Sequence, residues 1–191
     1  MRPGLVLLAA GVVVAGVTAC GPDATSFRPT DRTDPSHAGP PSAVYDVYLA
    51  GQLVARTHVW SSGGYLSSGD EPMTHIGFEI SSTTLRTLAF DADALELVAF
   101  DGDGGALPAP RLMSITPGGG PPLVNVPAAS TVVLGAYFAL PARPRSVGSM
   151  QVRWTLRTDA EEYRQVTGLV RDDDAQINAY SAPGSARFPS S

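Results

Sequence analysis

Met73-Thr74-His75 is the one close pairing of a thioether with an imidazole in this chain of 191 residues. Soft sulfur beside a neutral imidazole suits copper(I), with His58 and Met113 as further donors. Asp101-Gly102-Asp103-Gly104, with Asp91 and Asp93 upstream, sets carboxylates at alternate positions, as calcium loops do. The third acid and distal glutamate of an EF-hand loop are not at their spacing. Met73, His75, Asp101 and Asp103 are therefore the candidate metal ligands, weighed against core methionines and a solvated turn. A hydrolase needs a nucleophile, a base and an orienting acid. No serine sits in a G-x-S-x-G elbow, the only bases are His58 and His75, and Glu79, Glu96, Glu161 and Glu162 show no paired spacing. The chain reads as a non-enzyme. Trp60, Tyr65, Trp154 and Tyr163 are able to stack on sugars. Trp154 alternates with Val152 and Leu156 and reads as core, whereas Trp60 leads into a Ser/Gly loop and reads as exposed. Arg143, Arg145, Arg153 and Arg157 form a candidate basic patch able to fork onto carboxylates. The expected binding surface is Trp60, Tyr65, Arg153 and Arg157.

The remaining reactive group is the only cysteine, Cys20. Arg2 precedes an apolar run over residues 4–19 that exits through Val17-Thr18-Ala19-Cys20. A charged start, an apolar centre and small residues at the exit are the layout of an export signal. The run is shorter than the roughly 18–20 residues of a spanning helix. Val17-Thr18-Ala19-Cys20 resembles the lipobox of bacterial lipoproteins. The resemblance implies that the thiol receives a diacylglyceryl group and that a peptidase cuts before Cys20. It also implies that the freed amino group can be acylated. Two or three chains anchor firmly, one only marginally. An ordinary cleaved signal and an uncleaved anchor are the alternatives. In diderm bacteria an aspartate after the cysteine resembles an inner-membrane retention signal, so Gly21 favours the outer membrane. The expected place is the cell envelope, on the outer face of the cell membrane or on the outer membrane.

Removing residues 1–19 takes the net charge from −5 to −6, because only Arg2 is lost. An acidic domain is a poor partner for nucleic acid or anionic headgroups. All 13 basic residues are arginine, which excludes Schiff-base lysines, Walker-type loops and Ser–Lys dyads.

The elements that must position these residues begin after a Pro-rich stretch. Residues 20–42 carry prolines at 22, 29, 35, 40 and 41 and His37, and read as a tether. As a coil it would reach about 25 Å, and as polyproline II about 65 Å. From residue 44 the apolar pattern has period two. Strands are expected over 44–49, 52–60, 74–80, 85–90, 95–100, 111–115, 131–140, 150–157 and 163–171, with a hairpin at Ala50-Gly51 and a loop over 61–73. Asp172, Asp173 and Asp174 then form a charged strand end that discourages edge pairing. Seven to nine short strands without a helix predict an all-β, Greek-key sandwich.

Phe78-Glu79-Ile80-Ser81-Ser82, Leu88-Ala89-Phe90, Asp101-Gly102-Asp103-Gly104, Val126-Pro127 and Phe138-Ala139-Leu140-Pro141 carry a further resemblance. Together they resemble the immunoglobulin-like domains of small bacterial envelope lipoproteins, over roughly residues 74–157. This implies an immunoglobulin-like β-sandwich and no particular task. The expected organisation is a signal over 1–19, a lipidated tether over 20–42, a sandwich over 43–180 and a disordered tail over 181–191. The expected role is a membrane-anchored, non-catalytic binding or assembly module without cofactor, meeting an envelope protein or glycan. A copper or calcium protein is the alternative, and a hydrolase the third.

Overall fold

A computed structural model describes residues 23–35, 39–116 and 123–172. The described strands are β1 (Phe27–Pro29), β2 (Ala43–Leu49), β3 (Gln52–Leu66), β4 (Pro72–Ser82), β5 (Leu88–Asp91), β6 (Glu96–Asp101), β7 (Arg111–Thr116), β8 (Leu123–Val126), β9 (Thr131–Ala139), β10 (Val147–Arg157) and β11 (Glu162–Arg171). They form two antiparallel sheets. A five-stranded sheet runs β2-β3-β4-β9-β7, and a six-stranded sheet runs β1-β11-β10-β5-β8, with β6 also paired to β10. The connections β4–β5, β6–β7, β7–β8, β8–β9 and β9–β10 each pass from one sheet to the other. The chain is thus an all-β, immunoglobulin-like sandwich with Greek-key crossings. Among the described residues no helix is long and apolar enough to cross a membrane.

Alternation dictates which side chains meet between the sheets. Ile76, Phe78 and Ile80 of β4 and Leu134, Ala136 and Phe138 of β9 face Phe90, Val152, Trp154 and Leu156 of the other sheet, all essentially buried. Phe78 lies 5.0 Å from Phe90 and 6.2 Å from Trp154, centroid to centroid, at tilted and edge-on angles that suit ring quadrupoles. Each such side chain contributes roughly 1.5–3 kcal/mol by leaving water. The Trp154 indole N–H is satisfied by Thr167 Oγ1 at 3.0 Å.

The structure corrects the expected organisation in three places. There are eleven described strands rather than seven to nine. β1 and β8 span only 3 and 4 residues, too few to display a period. β1 falls inside the expected tether, where Phe27 is 2% exposed and belongs to the core. Pro29 is tolerated there because β1 is an edge strand, where a missing N–H costs no ladder bond. The expected loop over 61–73 is mostly strand. β3 continues to Leu66 through a bulge between Ser61 and Gly64, which breaks the alternation that would have revealed it. The Ala50-Gly51 hairpin is present, with both residues at positive φ (47° and 74°), as a two-residue turn between twisted strands requires.

Candidate functional site

The outer face of the five-stranded sheet brings together four of the residues singled out above. Ile76 and Phe78 point into the core, so Met73, His75 and Gly77 of β4 point outward. Cross-strand register sets Trp60 opposite Gly77, Tyr65 opposite Met73, His75 opposite Tyr137 and Gly77 opposite Gly135. Two outward-facing glycines side by side leave a shallow depression, and neighbouring rings fill it. A Cβ on Gly77 would lie 2.2 Å from Trp60 Cε2, and one on Gly135 would lie 2.5 Å from His75 Nε2. Trp60 is only 4% exposed, which corrects the expectation of an exposed aromatic. The missing side chain at Gly77 is the physical reason, because it lets the indole close onto the sheet.

His75 is fixed on two sides. Its Nδ1 lies 2.8 Å from Ser62 Oγ, and its ring packs against Tyr137 at 4.6 Å between centroids, the planes tilted by 36°. Burial pushes the imidazole down to about 4, so the ring is neutral at physiological pH. Burial first, and then the neighbouring Tyr137, raises the Tyr65 phenol above its ordinary value. Met73 is buried beside these rings, and Met113 on the edge strand β7 is 42% exposed. His58 lies two residues before Trp60, is itself buried, and has Ser42 Oγ at 3.3 Å from its Nδ1.

The Ser62–His75 contact has the form of a nucleophile and base. A base of pKa about 4 takes up a proton poorly near neutrality, and no carboxylate bonds the imidazole among the described residues. Met73 and His75 share one face of one strand. No group of three or more His, Cys, Asp or Glu able to hold a metal occurs among the described residues.

The other candidates are elsewhere and are engaged within the fold. Asp101 Oδ1 accepts from the backbone N–H of Asp103 at 3.0 Å and of Gly105 at 2.7 Å, closing the turn after β6. The four arginines do not make one patch of free cations. Arg153 pairs with Glu96 at 3.0 Å and Arg157 with Asp91 at 3.2 Å along β10, while Arg143 and Arg145 both reach Asp23, at 3.5 and 3.7 Å. The Arg153–Glu96 pair is exposed on both sides and contributes little stability. Cys20, His37, Asp173, Asp174 and the expected tail lie outside the described residues.

No protein-family model and no curated protein matches the chain. Among solved structures, the chain is similar to a FixG-related protein from Vibrio parahaemolyticus. The likeness has a TM-score of 0.41 and 9% identity, and covers 62% of this chain and 96% of that one. So loose a likeness transfers nothing to this chain.

Sequence reasoning missed Ser62, Tyr137, Gly77 and Gly135. The available signal was a glycine in the middle of each of two strand patterns, which marks close approach by another group.

Proposed function

We propose that the chain is a bacterial envelope lipoprotein, anchored through lipid on Cys20, whose sandwich is a non-catalytic binding or assembly module. The anchor rests on Val17-Thr18-Ala19-Cys20 and the apolar run before it. The binding role rests on one observation, the convergence of Tyr65, Met73, His75 and Tyr137 on the outer face of the five-stranded sheet. That face combines ring surface, a neutral imidazole and phenol groups, and 45%-exposed Val133 lies on the same strand as Tyr137. Rings with polar tips suit a protein surface or a glycan, because they offer apolar area and hydrogen bonds at low entropic cost.

The test is recovery of the full-length protein from native envelopes in gentle detergent, beside Cys20→Ala, Val133→Arg and Arg153→Ala. The expected result is a stoichiometric partner that is lost with Val133→Arg and kept with Arg153→Ala. Loss with Arg153→Ala and retention with Val133→Arg would move the surface to the six-stranded sheet. No partner from a folded, correctly placed protein would turn the search to glycans, and then to copper(I) and calcium.

A further inference from the structure

Residues 23–31 form a strap across both sheets. Thr25 exchanges two backbone hydrogen bonds with Gly64 of β3, at 2.9 and 2.8 Å, which ties it to the five-stranded sheet. Phe27 then enters the core, and β1 pairs with β11 of the six-stranded sheet, with Phe27 opposite Arg171. Thr30 N–H donates to Gly168 O at 3.0 Å, and the Tyr45 hydroxyl donates to Asp31. Asp23, at the start of the strap, is paired with both Arg143 and Arg145. The sandwich is shaped to receive this segment. Gly63 adopts φ +99°, and a Cβ there would lie 2.6 Å from the Thr25 carbonyl oxygen. A Cβ on Gly168 would lie 2.3 Å from Thr30 Oγ1.

From these contacts we infer that the strap abolishes the tether and holds one end of the sandwich against the lipid surface that bears the anchor. The inference rests on lipidation of Cys20, as proposed above. Five residue steps separate Cys20 from Thr25, a reach of at most about 18 Å at full extension. A free segment over 20–42 would allow up to about 65 Å. The near end is the one holding Thr25, Gly64, the 3-10 turn Pro144–Ser146 and the tip of the β3–β4 hairpin at Ser67 to Glu71. The far end is fixed by β3 itself. Leu53 precedes Gly64 by about 35 Å along the strand. Thr83 bonds the Leu53 carbonyl there, which brings the following residue pair up to Leu85, 90% exposed, to the same end. Lipid therefore faces the hairpin tip, and Tyr48, Leu53 and Leu85 stand away from it.

The test uses the full chain, purified as the membrane-borne form and added to vesicles of phosphatidylethanolamine and phosphatidylglycerol carrying a headgroup-linked energy acceptor. A donor dye is placed at Ser68→Cys or Leu85→Cys, both exposed positions. Lipidation leaves each introduced thiol as the only free one. The expected result is transfer several-fold stronger from position 68 than from position 85. A Gly/Ser insert of about twenty residues between Pro22 and Asp23 lengthens the leash without touching the sandwich, and removes most of the difference. Equal transfer from the two positions, or transfer from position 68 that ignores the insert, overturns the inference. Mass spectrometry of the N-terminal peptide separates the two proposals. A Cys20 peptide without lipid mass removes the anchor itself, whereas lipid mass with equal transfer removes only the close docking.

Discussion

Trp60 closes over Gly77, its cross-strand partner, so that a single methyl group at position 77 would sit 2.2 Å from the indole. Gly77→Ala therefore drives the ring off the sheet. The expected cost is about 1–3 kcal/mol, the range for overpacking a closed contact. Chemical denaturation measures the loss, and a red shift of tryptophan emission reports that the displaced indole meets water. Unchanged emission with unchanged stability would mean that the indole does not rest there.

His75 makes stability depend on pH. Its folded-state pKa, about 4, lies below the ordinary value of 6.5, so between these values the unfolded chain binds more protons than the folded one. The stability held above pH 6.5 is then lost as pH falls toward 4, on the order of 3 kcal/mol in total. Denaturation at steps across this window measures the slope. His75→Gln removes the titration while keeping a hydrogen-bonding group for Ser62, and is expected to flatten the curve there.

Asp101 spends its Oδ1 on two backbone N–H groups of its own turn. Asp101→Asn keeps an acceptor and is expected to melt near the parent, whereas Asp101→Ala loses about 1 kcal/mol. Saturating calcium is expected to leave Tm unchanged in all three proteins. A rise confined to the parent would place a cation on the loop by linkage.

Thr57 Oγ1 is buried between the sheets without a hydrogen-bond partner among the described residues. Thr57→Val exchanges that hydroxyl for a methyl group of similar shape. A gain of about 1 kcal/mol in urea denaturation is expected, because a desolvated, unpaired oxygen is removed.

How much of this was legible in the sequence depends on length and regularity. Val152, Trp154 and Leu156, or Ile76, Phe78 and Ile80, repeat over enough residues to reveal both strand and buried face. β1 offers only Phe27, Arg28 and Pro29, and its identity as a strand comes from β11 rather than from its own residues. The site was legible as residue types but not as an assembly. Met73 and His75 announce themselves by proximity, while their meeting with Trp60 and Tyr65 follows from a register that passes through a bulge. Trp60 was misplaced because side-chain burial on an outer face is decided by the opposite residue. That residue, Gly77, lies seventeen positions along the chain.

The pairing of the first described strand with the last has a consequence for the order of folding. Phe27 opposes Arg171, so β1 has no ladder partner until nearly the whole described chain is available to fold. The five-stranded sheet can begin earlier, with the β2–β3 hairpin and β4 in immediate succession. The ladder that holds Phe27 in the core closes only when β11 arrives. Contacts of such long sequence separation are slow to form. The described sandwich is therefore completed by its first and last described strands together, and a chain halted before β11 remains an unfinished fold.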